Sequence, residues 1–327
     1  MSGLSDSFQR PINYLRISVT DRCNLRCIYC MPPGGVPLMP RSDIMSYEEI
    51  QAVVQIAAEM GINKVRLSGG EPLVRSSLAR LVKLVAQIET IDDISLTSNG
   101  VLLKHHAHEL KEAGLKRVNV SLDTLQKDRF QRITRRQGLN DVLEGIEAAS
   151  AAGLNPVKVN MVVMHGINDD EILDFARKSI YEGWNVRFIE LMPFGRNKDM
   201  TPSFMPVGEM QQRLRALGEL EPCLPTAGNG PAKYFRFPGS KGSIGFISPV
   251  SQHFCFSCNR LRLTADGKLR PCLLADDEID LREPLRNGAS IQQLRQLIHK
   301  AVASKPRQHH LAEGLIPQKR PMSQVGG

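Results

Sequence analysis

The chain has 327 residues, 42% hydrophobic and 23% charged, with one Trp, five Tyr and eleven Phe. This balance excludes a disordered or collagen-like polymer and leaves room for one large α/β domain with a smaller addition. The 42 basic and 34 acidic residues give a net charge of +8, which permits a polyanionic partner, but no block of five or six basic residues marks a nucleic-acid arm.

In chain order, short β-branched runs alternate with longer amphipathic stretches. Strands are expected near Tyr14 to Val19, Lys64 to Leu67, Asp93 to Thr97, Arg117 to Ser121, Pro156 to Val163 and Asn185 to Glu190. Between them, Ser46 to Met60, Ser76 to Ile88, Val101 to Ala113, Leu139 to Ala151 and Asp169 to Tyr181 carry apolar residues at helical spacing. Gly61, Gly114 and Gly153 punctuate three of these ends. Sequential βα units imply a parallel sheet with helices packed outside. Six units are too few for a closed eight-stranded barrel, so the expected α/β fold is a partial (βα)6 barrel or an open doubly wound sheet. Either form places the site at the carboxyl ends of the strands. After about Pro193 the pattern changes: hairpin strands are expected at Tyr234 to Phe237 and Ile244 to Ser248, and a helix at Ile291 to Ala303.

No run of about 18 apolar residues occurs, so no membrane span is expected. The opening MSGLSDSFQRPINYLRIS lacks a basic-then-apolar signal region, which makes a cytoplasmic, reducing location the expectation. The seven cysteines then need explaining as thiols. Cys23, Cys27 and Cys30 form a C-x3-C-x2-C loop directly after the first strand, followed by the helix-resistant Met31-Pro32-Pro33. Cys255, Cys258 and Cys272 form a second trio, and Cys223 stands apart. Three thiolates leave a structural zinc site one ligand short, whereas a cubane iron-sulfur cluster on three cysteines has one iron open to a further ligand. At this point zinc remains an alternative for both trios, with a distant fourth ligand for the first and His253 for the second.

Ser68-Gly69-Gly70-Glu71-Pro72 follows the second strand, and its paired glycines let backbone approach a ligand closely. Together with the first trio, this segment resembles the radical S-adenosylmethionine superfamily. The likeness runs collinearly over nearly the whole chain to one family within it, which cyclises GTP in molybdenum cofactor biosynthesis. It is carried by CNLRCIYCMP, KVRLSGGEPL, LTSNG at 96–100, RVNVSLDTL at 117–125, KVNMVVM at 158–164, RFIELMPFG at 187–195, CFSCNRLRLTADGKLRPCL at 255–273 and the terminal Gly326-Gly327.

The resemblance implies two [4Fe-4S] clusters. Cys23, Cys27 and Cys30 would hold the cluster that binds S-adenosylmethionine, and Cys255, Cys258 and Cys272 the one that binds GTP. Tyr29, Gly70, Ser121 and Met192 would contact S-adenosylmethionine, while Arg16, Arg66, Thr97, Lys158, Arg260, Leu261 and Arg262 would contact GTP. Arg260, Arg262, Gly326 and Gly327 would also serve the radical chemistry, with Pro321 standing where an apolar residue is expected ahead of the tail. The implied reaction is abstraction of the C3' hydrogen of GTP by a 5'-deoxyadenosyl radical and closure of a C3'–C8 bond. An outside electron donor and a homodimer are implied as partners, and neither nucleic acid nor membrane. Residues 1–230 would form the partial barrel with the first cluster, and 231–327 the C-terminal region with the second cluster and the tail.

The residues themselves agree in part. Arg260 and Arg262 alternate around Leu261, which puts two guanidiniums on one face of an extended segment. Arg16, Arg66 and Lys158, at or near predicted strand ends, suit a triphosphate. Two other readings remain: a related radical enzyme with an auxiliary cluster acting on a peptide or metabolite, and a non-enzymatic metalloprotein binding nucleic acid.

Overall fold

The six expected strands form β1 (Tyr14–Ser18), β2 (Lys64–Ser68), β3 (Asp93–Ser98), β4 (Arg117–Ser121), β5 (Lys158–Val163) and β6 (Asn185–Glu190). Each runs parallel to the next in sequence order. The architecture comes from a computed structural model that describes residues 3–194, 200, 203–225 and 227–326. The crossovers carry α1 (Tyr47–Glu59), α2 (Leu78–Ala86), α3 (Leu103–Glu112), α4 (Lys127–Thr134), α5 (Leu139–Ala151) and α6 (Ile172–Glu182).

Local chemistry sets the helix ends. Ser46 and Glu49 close a reciprocal capping box at the start of α1, a device worth roughly 1 kcal/mol. At the other end of the crossover series, Gly183 terminates α6 with φ 79°, a left-handed turn that glycine makes without a Cβ penalty. The sequence reading misses α4. Only Phe130, Ile133 and Thr134 of that helix are buried, too few to register an apolar period over two turns.

The strands alternate in a way that positions the site. Leu15, Ile17, Val65, Leu67, Leu96, Val118, Val120, Val159, Met161, Val186 and Phe188 are all at most 1% exposed, and they pack in the main core with the buried faces of the helices. The intervening positions are Arg16, Arg66, Thr97, Asn119, Asn160 and Arg187. Parallel strands covered on both faces are ordinarily apolar throughout. Here the inner face is polar, so the interior is a chamber and not a packed core.

The C-terminal part comprises α7 (Val207–Leu214), β7 (Glu221–Pro222), β8 (Lys233–Arg236), β9 (Ser243–Ile247), β10 (Arg260–Leu263), β11 (Lys268–Arg270), β12 (Ile279–Asp280), α8 (Arg282–Arg286), α9 (Ile291–Ala303) and α10 (Met322–Val325). The β8–β9 hairpin forms as expected. Its second strand then adds parallel to β6, and β10 adds parallel to β1. The sheet order is β12-β11-β10-β1-β2-β3-β4-β5-β6-β9-β8-β7, so eight strands are parallel neighbours where six were expected. The two extra strands each enter as one arm of a hairpin, which hides them from a search for βα units. Among the described residues, no helix is long and apolar enough to cross a membrane.

Candidate active site

One cavity runs through the interior of the sheet and is lined by all six cysteines of the two trios. It reaches from Gly70 and Ser121 at the carboxyl ends of the strands to Tyr14 and Arg260 near their amino ends. This corrects the expectation of a site confined to the carboxyl ends. The polar inner face continues down the strands and keeps the chamber open.

The first trio sits in the loop after β1. Backbone N–H groups of Arg26 and Ile28 donate to the carbonyls of Thr134 and Ile133 at 2.9 Å each, pinning the loop to the end of α4. The Arg135 guanidinium fastens the same loop through the carbonyls of Arg26 at 2.8 Å and Met31 at 2.9 Å. Burial, with Asp123 and the sister thiols nearby, pushes the Cys27 thiol well up; burial and Cys23 push Cys30 to about 12. Thiolates form there only against a strong local cation, which iron held by Cys23, Cys27 and Cys30 would supply.

The glycine pair faces this loop. The Gly70 N–H donates to the Thr20 carbonyl at 2.8 Å, and that of Glu71 to the Arg22 carbonyl at 2.7 Å. A Cβ at Gly70 would overlap the Arg22 carbonyl. The buried Glu71 carboxylate accepts from Leu73 N at 3.0 Å, Ser98 Oγ at 2.8 Å and Asn99 N at 2.6 Å, tying the ends of β2 and β3 together. The Tyr29 hydroxyl donates to Asp123 at 2.8 Å, whose other oxygen accepts from Val162 N at 2.9 Å. Ser121 and Met192 line the same end of the cavity, and Met192 packs beside Phe194, Leu274 and Val325.

The second trio is assembled by the β10–β11 hairpin: Cys255 and Cys258 precede it and Cys272 follows it. Burial raises the Cys255 thiol as it does those of the first trio, but Cys258 differs. Burial raises the Cys258 thiol, but Arg260 and Lys305 outweigh burial and bring it down to about 7. The ring of His253 stacks edge-on against His309, centroids 5.3 Å apart. Among the described residues, no group of three or more His, Cys, Asp or Glu is gathered as a single ion requires. Cys223 lies outside the cavity, its N–H on the Tyr234 carbonyl at 3.0 Å.

Between the trios lies a row of guanidiniums fixed by strand register. Arg262 of β10 stands opposite Arg16 of β1, which stands opposite Arg66 of β2. Arg260 stands opposite Tyr14, and all four arginines line the cavity, as does Arg187. Burial, with Arg262 and Arg66 adding to it, pulls the Arg16 guanidinium well below its usual range. Burial and Arg260 bring Arg262 to about 10. Several buried cations in one chamber are costly to keep dry, and a ligand with multiple negative charges offsets that cost. Among the described residues, Thr97 Oγ1, Asn160 Oδ1 and Arg260 Nε are buried and find no hydrogen-bond partner, which leaves polar capacity for a ligand.

Two expected contacts are placed elsewhere. Leu261 packs in the main core, 1% exposed. Lys158 starts β5, and its ammonium donates to the Ala227 carbonyl at 2.6 Å, above the Tyr234 ring. The tail reaches both trios. Arg320 pairs with Asp266 at 2.8 Å and Glu278 at 2.6 Å, Pro321 caps α10, the Ser323 N–H meets the Cys30 sulfur, and Arg262 donates to the Gly326 carbonyl. Gly327 lies outside the described residues. Arg187, Asn160, Asp123 and Lys305 were not anticipated. The first two were legible as polar positions alternating with apolar ones in KVNMVV and NVRFIE.

Residues 17–178 match the family model of the radical SAM superfamily, and residues 184–311 match Molybdenum Cofactor Synthesis C. The GTP 3',8-cyclase of Moorella thermoacetica is 54% identical over 99% of this chain and 100% of its own length. The chain belongs to the GTP 3',8-cyclase family. Another member, from Heliobacterium modesticaldum, is 53% identical over 98% of this chain and 99% of its own. Among solved structures, Streptococcus suis SuiB bound to S-adenosylmethionine aligns with a TM-score of 0.62 at 11% identity, covering 87% of this chain and 68% of that one. The enzyme anSMEcpe with bound AdoMet aligns at 0.57 and 15% identity over 94% and 80%. At such identities these two likenesses establish the fold alone.

Membership of the cyclase family makes the Gly70 cradle testable. G70A is expected to drive the Thr20–Arg22 backbone outward and carry Cys23 with it, cutting S-adenosylmethionine cleavage by roughly 100-fold, a loss of about 2.7 kcal/mol of transition-state stabilisation. The check is iron content and 5'-deoxyadenosine yield after anaerobic reconstitution. Cleavage at the parental rate would show that the cradle tolerates a methyl group.

Proposed function

We propose that the chain converts GTP to 3',8-cyclo-7,8-dihydroguanosine 5'-triphosphate, the first step of molybdenum cofactor biosynthesis. The observation that carries this reading is the single cavity with a cysteine trio at each end and a register-fixed row of arginines between them. Cys23, Cys27 and Cys30 would hold one [4Fe-4S] cluster and Cys255, Cys258 and Cys272 the other. When bound, the first cluster and S-adenosylmethionine supply reductive cleavage and, through it, hydrogen-atom abstraction.

The protein's part is placement and exclusion. Tyr29, Gly70, Ser121 and Met192 would seat S-adenosylmethionine against the first trio. Arg16, Arg66, Thr97, Arg260 and Arg262 would seat the nucleotide, with the backbone of Leu261 between the last two and Lys158 at the amino-end mouth. The buried guanidiniums hold anionic oxygens in fixed positions without solvent reorganisation. Gly326 and Gly327 would reach the reacting end of the chamber. Residues 231–327 would act as the part that delivers the second trio, since β9 and β10 lie within it and return to the two edges of the six-strand sheet. We further propose a cytoplasmic enzyme, a homodimer, and an electron donor from outside the chain.

The test is anaerobic reconstitution with iron and sulfide, then incubation with S-adenosylmethionine, dithionite and GTP, with both products quantified by mass spectrometry. The expected result is 5'-deoxyadenosine together with the cyclised nucleotide. Formation of 5'-deoxyadenosine with no GTP-derived product would remove GTP as substrate, and zinc uptake without cleavage would remove the radical reading entirely.

Lys158 gives the binding step a pH signature. Burial first, then Arg187 and Arg117, pull its ammonium down to about 7. A triphosphate that draws the ammonium away from the Ala227 carbonyl would raise that value again, so binding would take up a proton. The contribution of Lys158 to GTP affinity is therefore fully present below about pH 7 and falls as pH rises above it, by up to about tenfold per unit until the bound-state value is reached. Calorimetric titrations at pH 8 in two buffers of different ionisation enthalpy should give different heats, and K158M should abolish the difference. Equal heats for the parental chain would remove Lys158 from the binding step.

A further inference from the structure

Lys305 follows α9 and lies in none of the segments that carry the family resemblance. It is 4% exposed, a rare burial for an ammonium. Its Nζ donates to the carbonyl of Arg260 at 2.8 Å and that of Pro271 at 2.6 Å. Arg260 lies two residues after Cys258 and Pro271 immediately before Cys272, so one side chain clamps both cysteine-bearing segments. The ammonium also hydrogen-bonds the Cys258 sulfur and feels the Cys272 sulfur. Among the described residues, no carboxylate pairs with it.

Neighbouring groups complete a frame. Arg10 donates to the carbonyls of Cys255 at 2.6 Å, Arg307 at 2.8 Å and Pro306 at 2.7 Å. The His309 N–H meets the Cys255 sulfur. Among the described residues, the first trio has no buried lysine of this kind, and the charges near Cys27 and Cys23 include the carboxylates of Asp123 and Glu71. A buried cation whose counter-charges are sulfurs is arranged to stabilise negative charge on them. Net charge and hydrogen bonds to sulfur are also what set cluster potentials.

We propose that Lys305 is a positioning residue that clamps the Cys258 and Cys272 segments through the Arg260 and Pro271 carbonyls and, with a cluster bound there, favours that cluster's reduced, more negative state. This rests on the reading that Cys255, Cys258 and Cys272 carry a cluster. The test uses the full-length chain bearing C23A/C27A/C30A, so that iron can be held only at the second trio, with iron content and the spectroscopically monitored midpoint potential as readouts. K305Q keeps two N–H donors for the carbonyls and removes the charge. It should move the oxidised-to-reduced ratio at fixed potential at least tenfold toward oxidised, which is 59 mV downward for a one-electron couple. K305R should stay near the parental midpoint, as should K300Q, which removes a charge from the exposed side of α9.

An iron-loaded K305Q with the parental midpoint, or an equal fall in K300Q, would overturn the proposal. Should K305Q take up no iron, K305R decides: iron at the parental midpoint supports the need for a cation, whereas failure of both shows that shape and not charge matters. If the chain with Lys305 intact takes up no iron, the cluster reading falls first and this inference with it.

Discussion

C255A, C258A or C272A is expected to leave S-adenosylmethionine cleavage within a few-fold of the parental chain while reducing the GTP-derived product by at least about 100-fold, some 2.7 kcal/mol of transition-state stabilisation. The expectation follows from how separately the two trios are built. The first hangs in the β1 loop, pinned to Thr134 and Ile133 and fastened by Arg135. The second is assembled by the β10–β11 hairpin, with Arg10 and Lys305 as its frame. Truncating a thiol in the second touches none of the bonds that pin the first loop to Thr134, Ile133 and Arg135, but would remove the proposed anchor for the nucleotide. Radical generation then continues against a substrate no longer held in line. A parallel collapse of 5'-deoxyadenosine would make the second trio a structural element of the whole chain. Full retention of product would make it dispensable.

Much of this arrangement could be read from the chain itself. The alternation of strand and helix patterns gives the parallel sheet, and the period-2 runs YLRIS, KVRLS and NVRFIE put apolar residues on one face and arginines on the other. The paired glycines and the two cysteine trios were legible because the chemistry they serve restricts both residue type and spacing. What stayed hidden depends on tertiary register. That β10 lies beside β1, which puts Arg262 level with Arg16 and Arg66, is a long-range pairing that no local pattern encodes. The turning of Lys158 toward Ala227 needs a loop nearly 70 residues away. Lys305 was invisible for the same reason: a lone lysine after a helix reads as solvated surface until the fold buries it against two carbonyls and a sulfur.

G326A should lower product formation roughly 10- to 150-fold while leaving the fold intact. Gly326 has φ 69°, a left-handed conformation that costs an alanine about 1 kcal/mol. A Cβ there would also run into Ser68 Oγ, so the last turn of the tail must lift. Lifting it breaks the bond from the buried Arg262 guanidinium to the Gly326 carbonyl, a contact with a charged donor worth about 1.5–3 kcal/mol. Lifting relieves the strain, so the lost contact alone sets the range when each tenfold in rate is about 1.4 kcal/mol. R262A breaks the same bond from the other side and removes a cation from the arginine row, so its loss should be at least as large. Because the two residues share one contact, the double variant should fall well short of the summed single losses. Product yield, 5'-deoxyadenosine yield and GTP affinity, measured on all four chains, separate the contributions. Additive losses would mean that Arg262 serves the nucleotide alone and that the tail docks without it. A G326A chain with parental product yield would place the tail's contribution, if any, in Gly327.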